Sequence, residues 1–281
     1  MNTVNQTFNW NRFTAALRKE LVESKRGILF TLLSIYGLLT MVMIIGNLFM
    51  SDGFMFEEAR IHYATVFVIF TFTVCIAASL AFKKLTKKNG RVDLFTSPSS
   101  TLEKFLVNAL VYVFGFIMAF FVCAQLADLT RIAALWYFHN DINVPGPINF
   151  LNILSSPFSF GDDATSSTLS STLAATLPLS VIASGGLFLM GSVLWPRLSL
   201  LKTFAALYGL EFAIVLLGIL FTAIVGENVI AEYVQKFVRI FIGRDFSYWT
   251  IGWYVIQILL FWGLAWFLFK RKDVVSLKWW K

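Results

Sequence analysis

Six long apolar runs constrain this 281-residue chain more than any other feature of its sequence. A helix of about 20 residues, rising 1.5 Å per residue, crosses about 30 Å of hydrocarbon. A segment in lipid must satisfy its own backbone N–H and C=O groups, and these runs lack the alternating pattern of a barrel. We therefore predict an all-α polytopic membrane protein whose six transmembrane helices lie at about Gly27–Met50, His62–Phe82, Phe105–Ala127, Leu173–Trp195, Thr203–Val225 and Thr250–Phe269.

The basic residues are concentrated in every second connection. Of the 23 Lys and Arg residues, 18 lie in the N-terminal segment, the second and fourth connections and the tail. The positive-inside rule then predicts that both termini are cytoplasmic and that residues 1–281 form a single transmembrane domain. Because the charges follow membrane borders rather than a soluble module, the expected partner is the lipid membrane and not nucleic acid.

Residues with catalytic or metal-binding chemistry are scarce. His62 and His139 lie near or beyond the predicted external border, and Cys75 and Cys123 fall inside predicted spans. These positions form no nucleophile–base pair, disulfide framework or metal spacing. The chain also has no G-x-x-x-x-G-K-[ST] phosphate loop. We expect no catalytic residue, metal or bound cofactor here, so any ATP that drives the protein would bind, with Mg²⁺, to a partner subunit.

The residues before the first apolar run have an amphipathic pattern. Apolar side chains recur there at helical spacing: Trp10, Phe13, Leu17 and Leu21. Charged side chains, including Arg18 and Lys19, lie largely on other faces. The pattern predicts a helix over Phe8 to Ser24, within a cytoplasmic segment 1–26, that lies in the inner headgroup layer. A simple membrane anchor is the alternative interpretation.

The second connection, Lys83–Phe105, contains signals that break and restart a helix. Asn89-Gly90 favours a turn, and Pro98 disfavours helix at the residue before it. Ser100 and Glu103 have the spacing of a capping box that would start the third span.

The same connection carries apolar side chains at Leu94, Phe95 and Leu102. Exposed in the cytosol, they would gain stability by packing against a partner protein. A plain loop is the alternative.

Ser97-Pro98-Ser99-Ser100-Thr101-Leu102-Glu103-Lys104-Phe105 resembles the Leu-Pro-x-Ser-x-x-Glu-Lys-Phe signature after the second span in permease subunits of ABC-2 type exporters, particularly those of the Bacteroidetes style. The chain has Thr96-Ser97-Pro98 where that family often has Leu-Pro. The tail from Phe269 to Val274 is similar to the basic end of the family's last span. With the amphipathic segment and six spans, the resemblance covers essentially the whole chain.

The resemblance implies a permease subunit in a bacterial cytoplasmic (inner) membrane, paired with a second permease copy or paralogue and with separate ABC ATPase subunits. It makes the N-terminal amphipathic segment an elbow helix. It also places a coupling helix within Leu94–Phe105, in a cleft of the ATPase. The coupling residues would be Leu94, Phe95, Pro98, Leu102, Glu103, Lys104 and Phe105. The exported substrate is unidentified, although Phe-rich spans favour an amphipathic compound.

Between the fifth and sixth spans, Gly226–Trp249 has an apolar stripe that is too short to cross a membrane. Its members are Ile230, Val234, Phe237 and Phe241. We expect a short external helix before the last span. By analogy with the family it would be a lid over the translocation route, and the alternative is a helix that only fixes the angle of the last span.

Small residues mark surfaces where helices could approach closely. In the fifth span Ala205, Gly209 and Ala213 recur every four residues. In the fourth span a Ser/Ala/Gly cluster that includes Gly185, Gly186 and Gly191 predicts tight packing, and a local kink is the alternative.

Glu211 is an intramembrane carboxylate in the fifth span, and it costs a few kcal/mol unless it is paired, hydrated or protonated. It should face protein or a water-filled cavity. Its role is left open between a substrate or gate function and a structural hydrogen bond, for example to Tyr208.

The largest external connection is expected at Asp128–Thr172. Pro145, Pro157 and a Ser/Thr-rich run from Thr165 to Thr172 predict an irregular surface loop there. Two other function classes remain open for the chain as a whole, namely a non-transporting six-span accessory or scaffold protein and a membrane enzyme.

Overall fold

The computed structural model describes residues 8–49, 55–138, 147, 164–225 and 246–272, with side-chain surroundings for 8–45, 65–137, 147, 176–222 and 248–272. All regular elements in these ranges are helical, and none of the described residues forms a strand. The α-helices are α1 (Trp10–Phe49), α2 (Met55–Leu80), α3 (Lys88–Thr96), α4 (Thr101–Ala109), α5 (Phe116–Phe138), α6 (Ala164–Leu194), α7 (Ser199–Val225) and α8 (Phe246–Lys270). A 3-10 helix, Lys83–Thr86, precedes α3, and a π-helical turn, Leu110–Gly115, joins α4 to α5.

Five helical segments are long and apolar enough to cross a membrane, as expected for a membrane-embedded protein. They lie in α1, in the continuous α4–α5 rod, and in α6, α7 and α8. At the predicted second span the chain also forms a helix, α2, whose described apolar stretch is the shorter Thr65–Leu80. The structure therefore confirms the all-helical class, and five of the six predicted spans coincide with helices that are long and apolar enough to cross a membrane.

The N-terminal segment and the first predicted span form one helix, α1, where the sequence predicted two. Its 40 residues extend about 60 Å, roughly twice the hydrocarbon thickness. A separate amphipathic helix lying in the headgroup layer is not confirmed. The reason is that the junction, residues 22–29, contains no proline and only one glycine, Gly27, so nothing stops the helix.

The largest contacts in the bundle are those of α6 with α8, of α1 with α5 and of α2 with α6. Phe70 of α2 packs on Phe120 of α5, with ring centroids 4.9 Å apart, and both rings are buried. Around this core, the helices bury the apolar faces that point toward one another.

The predicted tight packing of the fourth span is confirmed. A Cβ at Gly186 would lie 2.5 Å from the Trp262 ring of α8, and one at Gly191 would overlap Thr203 of α7. Glycine at these positions therefore lets α6 approach its neighbours at backbone distance.

The predicted surface loop over Asp128–Thr172 is wrong at both ends. Helix α5 continues to Phe138, and α6 begins at Ala164, so the Ser/Thr-rich run is helical. Residues 128–138 and 165–172 contain neither Gly nor Pro, and the loop prediction gave more weight to polar composition than to this lack of helix breakers. Pro145 and Pro157 lie outside the described residues.

At the start of this extension, Asp128 and Arg131 form a buried pair one helical turn apart. Arg131 Nε donates a hydrogen bond of 2.8 Å to Asp128 Oδ1, and both side chains are at most 2% exposed. Pairing of the two charges allows both to be buried where the sequence predicted an exposed loop.

Candidate functional site

The segment Leu94–Phe105, which resembles the coupling region, lies at one end of the helical bundle. There the 3-10 helix lies beside the turn that precedes α7, and α3 lies beside the end of α8. Thr86 Oγ1 donates a hydrogen bond of 3.0 Å to the Pro196 carbonyl, and the Phe82 ring lies 4.8 Å from the Phe269 ring. The second connection is therefore packed on the bundle.

The turn predicted at Asn89-Gly90 is not formed, because both residues lie in the first turn of α3. Gly90 instead permits a close approach, since a Cβ there would come within 2.5 Å of the Lys84 carbonyl oxygen. The helix ends at Thr96, and Ser97 is extended, as the proline that follows it predicted.

The predicted capping box at the start of α4 is confirmed. The Glu103 N–H donates to Ser100 Oγ at 3.2 Å, and Glu103 Oε2 accepts a bond of 2.7 Å from the Ser100 N–H. These reciprocal bonds satisfy two backbone donors at the helix start.

The other oxygen of Glu103 holds the beginning of α1. Oε1 accepts hydrogen bonds from the Asn9 N–H at 2.7 Å and from Arg12 Nη2 at 3.2 Å. The Glu103 side chain is fully buried. One carboxylate therefore joins the starts of α1 and α4, which are 94 residues apart in the sequence.

Further along α1, three more ion pairs reach the second connection. Lys84 Nζ lies 2.5 Å from Glu20 Oε2 and 2.8 Å from Glu23 Oε2, and Lys19 Nζ lies 2.8 Å from Asp93 Oδ1. We call the set that ties α1 to this region the ionic clamp. It consists of Arg12, Lys19, Glu20, Glu23, Lys84, Asp93 and Glu103.

Contacts within the clamp shift the pKa values of Lys84 and Asp93 in the directions that favour their charged forms. Burial acts to lower the pKa of Lys84, but hydrogen bonds to Glu20 and Glu23 outweigh it, so that pKa is raised. The hydrogen bond from Lys19 lowers the pKa of the Asp93 carboxyl. Both groups remain ionised around neutral pH, so the clamp is closed there.

Beside the clamp, aromatic rings join the start of α4 to the end of α8. Phe105 is buried, and its ring lies 5.5 Å from Trp266 and 6.0 Å from both Phe82 and Phe269. Phe95 of α3 stacks on Phe269 at 6.2 Å.

Most of the predicted coupling residues point inward. Leu94, Glu103, Lys104 and Phe105 are buried, Phe95 and Leu102 are half-buried, and Pro98 is exposed. Lys104 Nζ donates to the Phe95 carbonyl at 3.3 Å. The prediction that the apolar side chains of this element stand free for a partner is therefore wrong for Leu94. The chain covers Leu94 itself, because the segment folds back on α1 and α8.

The predicted elbow residues do not share one environment. Phe13 is buried, Leu17 is half-buried, and Trp10 and Leu21 are exposed. Of the charged members of the clamp, the sequence singled out only Glu103, as a capping-box and coupling residue, and it did not identify the clamp itself. Their charges were visible there, but their pairing across 61 to 94 residues was not.

Glu211 lies on the surface of α7, in a window of the helix that has no buried residue. The predicted hydrogen bond to Tyr208 is not found between the described side chains. The strip of Ala205, Gly209 and Ala213 is also exposed, and a Cβ at Gly209 would meet no atom within 4 Å. The predicted role of Glu211 stays a prediction.

The predicted external helix, up to residue 245, lies outside the described residues. From Phe246 onward its predicted end belongs to α8. Over the described ranges, no three His, Cys, Asp or Glu side chains are grouped closely enough to hold a metal ion. Comparisons of the chain with models of known families, with curated proteins and with solved structures find no match.

Proposed function

We propose that this chain is the membrane-spanning permease subunit of an ATP-driven exporter of the ABC-2 type, working with separate ATPase subunits and a second permease copy or paralogue. The observation that carries the proposal is the ionic clamp. It joins the segment resembling a coupling region to α1 and to the α4–α5 rod, which both contain a candidate membrane span.

The two clamped helices have the dimensions of levers. Helix α1 is about 60 Å long, and the rod from Thr101 to Phe138 is about 57 Å long. Asp93 ties α3 to Lys19 of α1, and the Glu103 carboxylate ties the start of the rod to Asn9 and Arg12, so a push on α3 would be transmitted to both helices. The π-helical turn within the rod is a place where such a helix bends.

The ATPase would dock on the exposed face of the second connection, which the positive-inside rule puts in the cytoplasm. This face includes Val92, which is 39% exposed, together with Thr96 and Pro98. The buried residues Glu103 and Phe105 would then position the docking face from behind. Because both residues are buried, substituting them would destabilise the fold, and a loss of ATPase binding would then not identify the docking face.

A second permease chain would cover α7. This helix contacts the described chain through its first turns, where Phe204 packs on Phe188 at 4.8 Å. Beyond them, Glu211 is exposed among apolar side chains. Because a carboxylate facing lipid costs a few kcal/mol, a protein partner or a hydrated path beside Glu211 would remove that cost.

The direct test is co-purification in mild detergent from the cells that make the protein. We expect the tagged chain to capture a protein that hydrolyses ATP and contains a G-x-x-x-x-G-K-[ST] loop. Val92→Asp should abolish this capture. Leu198→Asp is the matched control, because Leu198 is 69% exposed at the same end of the bundle but lies on the α6–α7 turn.

The outcomes also separate the other function classes. Equal capture by both variants would mean that the ATPase does not dock on α3. Failure of wild-type protein to capture any ATPase would favour an accessory or scaffold protein. Catalytic turnover by the purified chain without partners would make it an enzyme.

A further inference from the structure

A groove between α1 and the α4–α5 rod takes no part in the ionic clamp. It has a volume of about 180 Å³, and its lining includes Leu21, Ile28, Leu32 and Phe116. Apolar cavities of about 150 Å³ stay dry and take up benzene. This groove therefore has room for part of a hydrocarbon chain and offers little to a water-soluble ligand.

The shape of the groove follows from its two walls. On α1, Leu17, Leu21, Ile28 and Leu32 are spaced by four, seven and four residues, which places them on one helical face. The opposite wall is the π-helical turn Leu110–Gly115 with the residues that follow it, where the small side chain of Ala119 leaves space.

Two basic side chains lie beside one edge of this face. At 100° per residue, Lys25 and Arg18 lie about 50° and 70° from the centre of the groove-lining stripe on α1. Both are exposed, and no hydrogen bond or ion pair to either is found within the described part of the chain. The nearest acidic residues of α1, Glu20 and Glu23, lie on the other side of the helix and bind Lys84.

Along α1, the cations come before the deeper part of the groove, which is the order of headgroup and acyl chain in a phospholipid. Lys25 precedes the first apolar run, which begins at Gly27, so its ammonium lies at headgroup level. Of the groove-lining residues on α1, Leu17 and Leu21 lie beside the two cations, whereas Ile28 and Leu32 lie about one and two turns deeper than Lys25 and form the part that an acyl chain would occupy. Cys123 of α5 reaches the Leu32 carbonyl there at 3.8 Å.

We propose that this groove binds one anionic phospholipid, with an acyl chain along the groove and the phosphate on Lys25 and Arg18. The apolar lining selects a lipid over a free phosphate, and the uncompensated cations select an anionic headgroup over a zwitterionic one. The inference requires a membrane-embedded chain but no ATPase, so it is independent of the proposed export function.

The test measures lipid retained by the purified protein. The full chain is equilibrated in detergent with phosphatidylglycerol, phosphatidylcholine or glycerol 3-phosphate, exchanged into lipid-free detergent and weighed by native mass spectrometry. We expect one phosphatidylglycerol per chain, and neither of the other two probes. In Arg18→Gln/Lys25→Gln, affinity for phosphatidylglycerol should fall roughly 10- to 30-fold, at about 1 kcal/mol per basic residue.

Two matched controls separate a built site from general attraction. Arg26→Gln/Lys88→Gln removes the same charge away from the groove and should keep the lipid, since Arg26 lies on the opposite face of α1. Ala119→Phe, which fills the groove, should lose the lipid, whereas Met118→Phe on the exposed face should keep it.

Equal loss from both charge variants would reduce the effect to diffuse surface potential and overturn the proposal. Retention of glycerol 3-phosphate as tightly as the lipid would assign a simple anion site instead, and retention by every variant would reject the groove. If Ala119→Phe fails to fold, the two charge variants still test whether the site binds the lipid, because they alter no packed side chain.

Discussion

Replacing Glu103 by Gln is expected to release the start of α1. The carboxylate accepts three hydrogen bonds, from the Ser100 N–H, the Asn9 N–H and Arg12 Nη2. A Gln side chain has the same shape but one acceptor oxygen, so its amide group would face a backbone donor. The variant therefore removes one bond and takes the charge from the other two.

The size of the effect follows from these contacts. Taking the negative charge from the acceptor of the Asn9 and Arg12 bonds costs about 1 kcal/mol each, and leaving a buried N–H without an acceptor costs about 1–3 kcal/mol. The variant should therefore lose roughly 3–5 kcal/mol of unfolding free energy. Glu23→Gln is the control, because the Glu23 side chain is 39% exposed and its ion pairs contribute about 0–1 kcal/mol.

The assay combines a global measurement of stability with a local measurement of exposure. Equilibrium unfolding in mixed micelles, followed by circular dichroism, gives the free energy, and limited trypsin digestion reports cleavage at Arg12 and Arg18. In Glu103→Gln, cleavage should rise while the remaining helices stay protected. The same unfolding midpoint and digestion pattern as wild type would falsify the clamp as the link that holds α1.

Three further outcomes are expected. Gly186→Ala should cost about 1–3 kcal/mol in the same unfolding assay, because its methyl group would overlap Trp262. Arg131→Met should cost about 3–5 kcal/mol by leaving the Asp128 charge buried and without its ion-pair partner. Since the pKa of Asp93 is lowered below its ordinary 3.8, its contribution is full above that pH and is lost as pH falls through the lowered pKa. The distance between spin labels on α1 and α3 should therefore lengthen only in strong acid.

Each of these outcomes has its own control. Gly209→Ala adds the same methyl group where no atom lies within 4 Å, so equal destabilisation of both glycine variants would contradict the packing argument. Adding Asp128→Asn to Arg131→Met should recover part of the loss, and no recovery would mean that the buried charge is not its cause. Spin-label distances that change near neutral pH would assign the contact to groups other than Asp93.

The apolar runs predicted the helices well because a span is a local property of sequence. Pro98 and the capping box around Ser100 were equally local, and both were confirmed. The ends of α5 and α6 were missed because polar composition alone does not stop a helix that has no Gly or Pro. Gly90 was assigned to a turn because its close approach to the Lys84 carbonyl depends on how α3 packs on the preceding 3-10 helix, which residue composition does not show.

The candidate site was harder to predict than the fold. The sequence located the second connection, but it could not show that Glu103 faces α1 and not a partner. That orientation depends on Asn9 and Arg12, which are more than 90 residues away from Glu103 in the sequence, so the contact cannot be recognised from a local pattern. Helical pattern alone also could not tell whether α1 would continue through Gly27 or break there.

The contact between Asn9 and Glu103 also sets when the start of α1 can reach its final position during synthesis. The side chain of Asn9 caps the first turn of α1 locally, since its Oδ1 accepts from the Asn11 N–H at 2.9 Å. Ribosomes add about 5–20 residues per second, so Asn9 and Arg12 wait roughly 5–20 s for the Glu103 carboxylate that fixes this turn against α4. During that interval the Phe13 ring, which is buried in the folded chain, is available to chaperones and to other nascent chains. Correct insertion would therefore depend on how quickly the second hydrophobic hairpin leaves the translocon.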